Sequence, residues 1–352
     1  MIILKKIFIT ILVLSILITS TVFANSTVKK TEDNEKIVIS LGGDIMFDRG
    51  VKKNINKYGI EYPFSGVRDI FKKDDITFLN LETSITNISK PANPKKEYNF
   101  ASDPKTAKEL KNSSVEIVSL SNNHSMDYGH KGFVDTMDYL DDAEVLYVGG
   151  GRNYKEALKY KTIEIKGKKI GFLGFDRVIP SSTWRATKDR AGHIGIYDYE
   201  IDKLLPYIKD VKSKVDYLVL AVHWQGMPSE KIAANITKAG HKLIDAGVNV
   251  VVGTHPHVMQ ATEFYKNGVI FYSLGNFIFD NPSPRQIKTA VIQLEVNTKD
   301  LKTKIKYIPC KSVNTKPTVL EDKERITEIR YMNKLNSKFN SYIQEDGYMV
   351  KK

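Results

Sequence analysis

Two histidines separated by a single proline follow a run of apolar, β-branched residues at 250–252. Side chains alternate along an extended chain, so His255 and His257 are expected to point to the same side. Pro256 fixes its own φ and favours extended geometry at the residue before it. Imidazole is a frequent ligand of transition metals. The spacing therefore indicates part of a metal site, with ordinary polar loop residues as the alternative.

Other strand-like runs also end in side chains that can bind a metal. Ligands of α/β sheets bind outside the carboxyl ends of the strands, so these side chains are expected to meet the two histidines on one rim. The predicted metal ligands, which follow apolar runs in five parts of the chain, are Asp44, Glu82, Asn123, His223, His255 and His257.

This mixed oxygen and nitrogen set favours one or two divalent transition ions, such as Mn, Fe or Zn, over Ca or Mg. Two ions about 3.5–4 Å apart stabilise both the attacking and the leaving oxygen of a displacement reaction. Glu82 is the candidate carboxylate to bridge them. His124 adjoins Asn123 and is a candidate to protonate a leaving group or to hold a phosphate oxygen, with Asp127 as its orienting partner. The predicted catalytic residues are therefore His124 and Asp127.

Two further residues are candidates for binding the substrate. Arg49 can bind a phosphate or carboxylate with its planar guanidinium, and a surface arginine that packs its stem is an equal alternative. Asn276, at a strand end, either contacts the site or caps a turn, and the turn role is slightly favoured. Trp224 is expected to pack in the wall of the site rather than to stack on a substrate. A structural role is favoured for the histidines that no motif surrounds, which are His130, His193 and His241.

The spacing of apolar residues predicts the elements that position these side chains. Strand-like runs alternate with helical patterns, which predicts an α/β fold with a mostly parallel central sheet. A hairpin is predicted at 161–175 and an antiparallel pair at 287–296 with 303–309. Residues 177–198 lack periodicity and are predicted to form a long loop, which is typical of a functional lid. The predicted helices lie at 51–57, 104–112, 131–142, 200–212, 229–245 and within 321–345.

The balance of charged residues restricts the partners. Lys and Arg number 53 against 41 Asp and Glu, which gives a net charge of +12. The lysines are scattered and no nucleic-acid-binding motif accompanies them, so nucleic acid is not expected as a partner. A basic surface favours an anionic polymer, a phosphorylated substrate or an anionic membrane. The single cysteine, Cys310, excludes an intramolecular disulfide and a Cys-based zinc cluster.

The first residues are predicted to be a targeting segment. Lys5 and Lys6 precede an apolar stretch at 7–21, and small residues at 22 and 24 are typical of a cleavage site. An uncleaved signal anchor is the alternative, because the apolar stretch approaches the ~18 residues that span a bilayer. The protein is therefore expected to be exported, either to the outer face of the cell membrane or into the medium. The predicted organisation is a signal peptide or anchor at 1–24, a tether at 25–36, a main domain at 37–310 and a C-terminal helical extension at 311–352.

Short motifs occur in a fixed order between residues 37 and about 280. They are Gly43-Asp44-Ile45-Met46-Phe47-Asp48-Arg49, Asn80-Leu81-Glu82, Ser121-Asn122-Asn123-His124-Ser125-Met126-Asp127-Tyr128-Gly129, His223-Trp224, Gly253-Thr254-His255-Pro256-His257 and Tyr272-Ser273-Leu274-Gly275-Asn276-Phe277. Together they resemble the CapA-type poly-γ-glutamate capsule biosynthesis family, a branch of the calcineurin-like metallophosphoesterases. The resemblance implies a layered sheet core with flanking helices and a site at the carboxyl rim of the strands. It also implies one metal bound by Asn123, His223, His255 and Glu82, and another bound by Asp44, Glu82 and His257.

Two positions depart from the wider phosphoesterase pattern. Met46 stands where that pattern usually places the histidine of Asp-x-His, and a thioether is a poor ligand for a borderline ion. Glu82 replaces the usual bridging aspartate and has one more rotatable bond. Both differences weaken the second metal position, which predicts either one tightly bound ion or a pair with one labile ion.

Three functions agree with these observations. The first is an exported metal-dependent hydrolase that acts on an anionic surface polymer or its phosphorylated precursor, in poly-γ-glutamate capsule synthesis by the resemblance. The second is a non-catalytic, membrane-tethered subunit that binds the polymer for a polyglutamate synthase complex. The third is a general phosphatase for exported nucleotides or phosphosugars. Hydrolysis of simple aryl phosphates separates the second function from the others, and dependence on the polymer separates the first from the third.

Overall fold

The strands that carry the predicted ligands belong to two sheets. The computed structural model describes residues 35–226, 228–280 and 283–352. The strands in these residues are β1 (Lys36–Ile45), β2 (Ile76–Leu81), β3 (Ser84–Ile85), β4 (Ala101–Ser102), β5 (Ile117–Ser119), β6 (Leu146–Val148), β7 (Lys161–Ile165), β8 (Lys168–Asp176), β9 (Tyr217–His223), β10 (Val250–Thr254), β11 (Thr262–Tyr265), β12 (Gly268–Phe271), β13 (Asn276–Ile278), β14 (Lys288–Asn297), β15 (Thr303–Val313), β16 (Lys316–Val319), β17 (Ser341–Ile343) and β18 (Tyr348–Lys351). The α-helices there are α1 (Arg49–Tyr58), α2 (Arg68–Phe71), α3 (Lys105–Asn112), α4 (Gly129–Asp142), α5 (Tyr154–Leu158), α6 (Ile201–Lys212), α7 (Ala234–Asp245) and α8 (Asp322–Leu335).

Both sheets are mixed: in the first, parallel strands form one side and antiparallel strands the other, whereas in the second, parallel strands lie between two antiparallel edge strands. The first sheet has ten strands, in the order β17-β18-β15-β14-β1-β2-β5-β6, with β13 beside β1 and β16 beside β15. The second has six, in the order β11-β12-β10-β9-β8-β7. The expected α/β class with a layered core is confirmed. The expected mostly parallel central sheet is wrong, because the predicted hairpin and antiparallel pair extend two mixed sheets, and sheets of many twisted strands tend to split into packed layers.

Apolar residues on both faces of each sheet place it between two other layers. Successive side chains of a strand point to opposite faces. In β9, Val219 packs between the two sheets, whereas Leu220 packs beneath α6 and α7. On the outer face of the first sheet, α1, α3 and α4 contribute Val51, Leu110 and Phe133 to a further apolar cluster. The layers therefore run helix, sheet, sheet, helix, and strands buried on both faces explain the unbroken apolar runs of the sequence.

The C-terminal segment adds strands to the first sheet as well as a helix. We expected residues 311–352 to form a helical extension. Helix α8 accounts for only part of that segment, while β16 and β18 pair with β15, and β17 pairs with β18. Strand β15 continues to Val313, so the expected boundary at 310 lies inside a strand. The helical description of this segment is therefore wrong outside Asp322–Leu335.

The predicted targeting segment at 1–24 and residues 25–34 of the predicted tether lie outside the described residues. Lys36, the last residue of that tether, already begins β1. In the part of the chain that the structure describes, no helix has both the length and the apolar character needed to cross a membrane. The predicted loop at 177–198 contains one short 3-10 turn at Ser182–Trp184, and the helix expected from 229 begins only at Ala234.

Candidate metal centre

The carboxyl ends of the two sheets meet at the predicted ligands. Each sheet supplies one kind of donor atom. The first sheet brings oxygen from Asp44 in β1, Glu82 after β2 and Asn123 after β5, and the second sheet brings imidazole from His223 in β9 and from His255 and His257 after β10. The candidate site is therefore built between the sheets rather than along the rim of one.

The predicted ligands form two groups that share one carboxylate. Within each group the ligating atoms lie within 4.8 Å of one another, and the groups are Glu82 with His223 and His255, and Glu82 with Asp44 and His257. Nε2 of His223 and Nε2 of His257 each lie 3.7 Å from Oε1 of Glu82. The same glutamate oxygen therefore faces both sets of imidazoles. The assignment of each residue as a ligand stays a prediction.

Buried acceptor atoms without a donor lie at the centre of these groups. Within the described residues, both carboxylate oxygens of Glu82, Oδ2 of Asp44 and Nδ1 of His255 are buried and have no hydrogen-bond partner. A buried acceptor left unpaired costs about 1–3 kcal/mol, and more when it is charged. A divalent cation that accepts lone pairs from this cluster would remove that cost. The donor set therefore fits one or two divalent ions.

Asn123 extends the first group. Its Oδ1 lies 2.8 Å from Nε2 of His223. Two ligands at right angles around an ion are about 3 Å apart when each lies about 2.1 Å from it, so this separation also suits a shared metal. Asn123 is 8% exposed, whereas Glu82 and His223 are almost fully buried. The first group is thus open to solvent on the side of Asn123.

Burial sets the protonation of the ligand side chains. It lowers the pKa of His255 to about 3 and the pKa of His223 well below its usual value. Both imidazoles are therefore neutral at pH 7 and keep the lone pair that a metal needs. Burial, followed by the neighbouring Asp44 carboxylate, raises the pKa of Glu82 well above its usual value. A cation between the two carboxylates favours their charged forms and reverses that effect.

Buried amides orient the carboxylate of Asp44. Nδ2 of Asn80 donates to Oδ1 of Asp44 at 2.8 Å, which leaves Oδ2 free to face the second group. Asn122 in turn donates to Oδ1 of Asn80 at 3.2 Å and accepts from the backbone N–H of His124 at 3.1 Å. Asn80 and Asn122 were not expected from the sequence to have a role, although both lie in the motifs that carry the predicted ligands.

Two of the predicted histidine ligands are held through their Nδ1 atoms. Nδ1 of His223 lies 2.8 Å from the hydroxyl of Thr254. Nδ1 of His257 lies 2.7 Å from Oδ1 of Asn276, and 3.3 Å from Oδ2 of Asp44. An amide oxygen only accepts, so Nδ1 of His257 donates to it and Nε2 keeps its lone pair. Partners of this kind fix the tautomer and the ring orientation of metal-binding histidines.

Asn276 is fully buried and lies beside Asp44 in the pairing of β13 with β1. From the sequence, a turn-capping role is slightly favoured for Asn276, which is also a candidate for binding the substrate. Its Oδ1 contacts Nδ1 of His257, which agrees with the expectation that Asn276 contacts the site. Binding of substrate by Asn276 stays a prediction.

Asn276→Ala is expected to weaken metal binding at the group of Asp44, Glu82 and His257 by about 10–100-fold, because the orienting acceptor of His257 is lost. Titration with Co²⁺ and visible absorption would measure the affinity. Asn336→Ala, which removes another buried asparagine that accepts from the backbone of Thr262, is the matched control. A change in KM with unchanged Co²⁺ affinity would instead support a role in substrate binding.

The backbone around the two histidines is not extended, contrary to the sequence expectation. φ is 99° at His255 and 55° at His257. Values in this range are uncommon for residues other than glycine and cost on the order of 1–3 kcal/mol. The two rings diverge to centroids 6.0 Å apart, one toward each ligand group. The strained turn, rather than strand-like alternation, therefore distributes the imidazoles.

His124 and Asp127 lie beside the first group in a buried pair. Nδ1 of His124 is 2.7 Å from Oδ2 of Asp127, which also accepts from the backbone N–H of Phe100. Burial lowers the pKa of His124 to about 4, so the ring is neutral at pH 7, donates from Nδ1 and carries its lone pair on Nε2. The ring of Phe100 stacks on it at 4.1 Å. The predicted acid role of His124 then requires that Nε2 first take up a proton.

Lys96 is the residue beside this pair that the sequence analysis missed. Its ammonium group donates to the backbone oxygen of Asn123 at 2.6 Å and to the carboxylate of Asp127. It also lies 5.4 Å from the ring centroid of Trp184, which belongs to the predicted lid. Lys96 sits in a loop with no periodicity, so no local pattern could have indicated it. It brings positive charge to the entrance of the site.

Arg49 lies farther from the ligands, over aromatic rings. Its guanidinium is 5.1 Å from the ring centroid of Tyr98 and 5.7 Å from that of Phe100. Its Nε pairs with Oδ2 of Asp280 at 2.9 Å, and its side chain is 40% exposed. The structure thus places Arg49 near the ring that covers His124, with part of its charge already paired. Binding of substrate by Arg49 stays a prediction.

Met46 is fully buried in the apolar cluster of the first sheet. Its sulfur lies 2.9 Å from the backbone N–H of Asp48, from which it accepts. Thioethers also bind borderline ions weakly. The candidate ligands of the second group are therefore Asp44, Glu82 and His257.

The remaining singled-out residues lie outside the ligand groups. Trp224 is fully buried and donates to the backbone oxygen of Tyr272, so it packs in the wall as expected. His241 lies 3.0 Å from Glu263, and His130 lies 3.1 Å from the backbone oxygen of Ala191. Gly253 is required beside Trp224, because a Cβ there would lie 2.2 Å from the backbone oxygen of Tyr272.

Comparisons with known proteins agree with the motifs. The family model described as "Bacterial capsule synthesis protein PGA_cap" matches residues 38–281. The capsule biosynthesis protein CapA of Bacillus anthracis is 33% identical over 267 residues, which cover 75% of this chain and 65% of that protein. The PGA biosynthesis protein CapA of Bacillus subtilis is 31% identical over 265 residues, which cover 75% and 69%. The match thus spans just under two thirds of the first relative and just over two thirds of the second.

Among solved structures, the NAD nucleotidase of Haemophilus influenzae aligns with 84% of this chain and 63% of its own, at 12% identity and a TM-score of 0.46. That likeness is too distant to transfer a fold or an activity. The family match covers more than half of the chain and the two Bacillus proteins share about a third of its aligned residues. The chain therefore belongs to the bacterial capsule synthesis protein family PGA_cap.

Proposed function

We propose that this protein is an exported, metal-dependent hydrolase that acts on an anionic surface polymer or its phosphorylated precursor in poly-γ-glutamate capsule synthesis. The observation that carries the proposal is the pair of buried ligand groups that share Glu82. Hydrolases that use two metal ions hold them at adjacent positions, where they stabilise the attacking and the leaving oxygen. The names of the two Bacillus relatives supply the capsule setting.

The chain's own residues provide proton transfer beside the ligand groups. Divalent ions, when bound there, supply Lewis-acid polarisation of the scissile group and lower the pKa of water. Asp127 holds the proton of His124 on Nδ1, so that Nε2 is the atom that takes up a proton and delivers it to a leaving group. The stacked ring of Phe100 covers one face of His124 and keeps water from it.

Positive charge at the entrance supports an anionic substrate. Asn123 and His257 are the most exposed of the predicted ligands, at 8% each, so a substrate approaches from their side. Lys96 contacts the backbone of Asn123 there, and its side chain is 21% exposed. Arg49 lies beyond the ring of Phe100 and has N–H groups besides the one that pairs with Asp280. A carboxylate or phosphate would be attracted to both cations.

The proposed location is the outer side of the cell membrane, as the predicted targeting segment at 1–24 implies. There the protein would work with membrane-bound subunits of a polyglutamate synthase. Support for these partners comes from the two Bacillus relatives, which are named as proteins of capsule and PGA biosynthesis. A free phosphatase with no connection to the polymer needs no such partners.

One observation favours a second function, a polymer-binding subunit without catalysis. Met46 stands where a histidine ligand is usual in phosphoesterases, and its sulfur contacts the backbone of Asp48. The second group then offers an ion fewer protein ligands, which weakens a two-metal reaction. The cations at the entrance would serve equally well to bind an anionic polymer.

The test uses the purified full-length protein in detergent, with metal content measured by mass spectrometry. Hydrolysis of an aryl phosphate and of poly-γ-glutamate would be followed with Mn²⁺ added. Asp44→Asn is the test variant, because its carboxylate lies in the second group, and Asp74→Asn changes a half-buried aspartate outside the two groups. We expect bound transition metal and turnover in the wild type and in Asp74→Asn, and at least about a 100-fold lower rate in Asp44→Asn.

The outcomes separate the alternatives. Bound metal and polymer binding without turnover of either substrate would favour the polymer-binding subunit. Turnover of aryl phosphates would favour a general phosphatase if the polymer neither inhibits that turnover nor is itself hydrolysed. Absence of metal after reconstitution would show that the convergent side chains do not form a metal centre.

A further inference from the structure

A chain of buried hydrogen bonds connects the loop after β5 with the end of β8. Nε2 of His193 lies 2.7 Å from the hydroxyl of Ser125, and Nδ1 lies 3.1 Å from Oδ2 of Asp176. The carboxylate of Asp176 only accepts, so Nδ1 of His193 donates to it, and the second oxygen of Asp176 accepts from the backbone N–H of Val178 at 2.7 Å. With Nδ1 protonated, either the hydroxyl donates to Nε2 of a neutral ring or Nε2 of a protonated ring donates to the hydroxyl oxygen, so a hydrogen bond joins the two residues in both cases.

Serine, histidine and aspartate in this order are the groups of a nucleophilic triad, but their burial excludes that role here. The side chains of Ser125 and Asp176 are fully buried, and His193 is 1% exposed. A nucleophile must reach a substrate carbonyl or phosphoryl group. The ring of His193 is packed edge-on against Phe133 and Trp184, with centroids 5.1 and 6.3 Å away. The three residues therefore act on the protein itself.

The hydroxyl of Ser125 closes the turn that presents Asn123 and His124. Besides contacting His193, it lies 3.1 Å from the backbone oxygen of Asn122. The backbone oxygen of Ser125 accepts from the hydroxyl of Ser84 at 3.0 Å. Asn123 and His124 lie between these anchored residues. A shift of Ser125 would therefore move both functional side chains.

The Asp176 end of this chain of hydrogen bonds is fixed to β9, the strand that carries His223. Asp176 is paired with His223 in the register of β8 and β9, and the backbone N–H of Arg177 donates to the oxygen of His223 at 2.9 Å. Asn123 contacts His223 directly at 2.8 Å. The contacts thus form a closed ring that runs from Asn123 through Ser125, His193, Asp176 and His223, and back to Asn123.

We propose that Ser125, His193 and Asp176 are positioning residues that set the distance between Asn123 and His223, and through it the geometry of the first ligand group. This inference rests on the proposed metal centre and deepens it. It gives His193, which the sequence analysis treated as structural, a defined role in the site. It also connects the predicted loop at 177–198 to the site, because His193 joins that loop to the one that carries Asn123.

The test uses full-length protein with Co²⁺ as the probe, since its visible absorption reports the coordination geometry. Ser125→Ala and His193→Leu are expected to weaken Co²⁺ binding at the group of Glu82, His223 and His255 by about 10–100-fold and to change its spectrum, with little change at the other group. His193→Gln keeps an amide donor for Asp176 and an acceptor for Ser125, so it is expected to restore most of the affinity. His241→Gln is the matched control, because His241 contacts Glu263 outside the site.

The double variant Ser125→Ala/His193→Leu is expected to lose no more affinity than either single variant, because both changes break the same connection. Thermal unfolding would show that each variant is folded, and Ser125→Ala decides the question if His193→Leu is not. If both single variants had the Co²⁺ affinity and the spectrum of the wild type, the proposed positioning role would be overturned. If the wild type itself binds no Co²⁺, the proposed metal centre fails, which is a different result from loss of binding in the variants alone.

Discussion

Glutamine in place of Glu82 is expected to abolish tight metal binding at both ligand groups and to stabilise the metal-free protein. Glu82 is the residue common to both groups, and neither of its oxygens has a hydrogen-bond partner among the described residues. Its loss should lower the affinity for Mn²⁺ or Co²⁺ by more than about 100-fold, beyond the effect of losing an orienting partner. Calorimetric titration and metal content would measure this loss.

The stability effect has a defined dependence on pH. Burial and Asp44 raise the pKa of Glu82 above its usual 4.5 in the folded protein. The folded state therefore binds the proton of Glu82 more tightly than the unfolded state does. The stabilisation that this proton contributes is complete below the usual pKa and is lost as the pH rises through the raised pKa. In the presence of a chelator, Glu82→Gln should match the wild type near about pH 4. At about pH 8 its free energy of unfolding should be higher than that of the wild type.

Glu328→Gln is the matched control for this experiment. Glu328 is also buried, burial raises its pKa, and one of its oxygens has no partner in the described part of the chain. It pairs with Lys288, away from the ligand groups. Metal binding should be unchanged in this variant. If Glu82→Gln bound metal as the wild type does, the shared carboxylate would not be a ligand and the two-group description would be wrong.

Alanine at His255 and alanine at His257 are expected to remove different metal ions. His255 lies in the group with His223, and His257 lies in the group with Asp44. Each single variant should lose one binding event in a Co²⁺ titration and keep the other, and the double variant should lose both. Any hydrolysis should fall at least about 100-fold in each single variant, because a displacement assisted by two ions needs both.

The pattern of losses decides how many ions the centre binds. His241→Ala serves as the control, because that imidazole is stacked on Tyr265 and contacts Glu263. If both histidine variants lost the same single event, one ion would be shared between the groups. That result would match the weaker second position that Met46 suggests. If neither variant changed the titration, the His-x-His motif would not bind metal.

The sequence by itself determined the chemical types of the site and their place at the ends of strands. Apolar runs that stop at Asp44, Glu82, His223 and the pair His255 and His257 are local features. A run of β-branched residues specifies a buried strand, and in an α/β fold the carboxyl ends of strands lie where ligands bind. Six ligand candidates, the α/β class and the motif order that carries the family resemblance could therefore be predicted from one chain.

The tertiary structure decided how those side chains are divided and oriented. Packing of two sheets separated the oxygen donors from the imidazoles, and a strained turn with positive φ, rather than an extended chain, directed His255 and His257 apart. Asn276 became the partner of His257, and Lys96 reached the pair of His124 and Asp127 from a loop without periodicity. Ser125 and His193 are 68 residues apart in the chain. Hydrogen bonds between such distant residues depend on packing, which local sequence patterns do not specify, so only the folded chain brings them together.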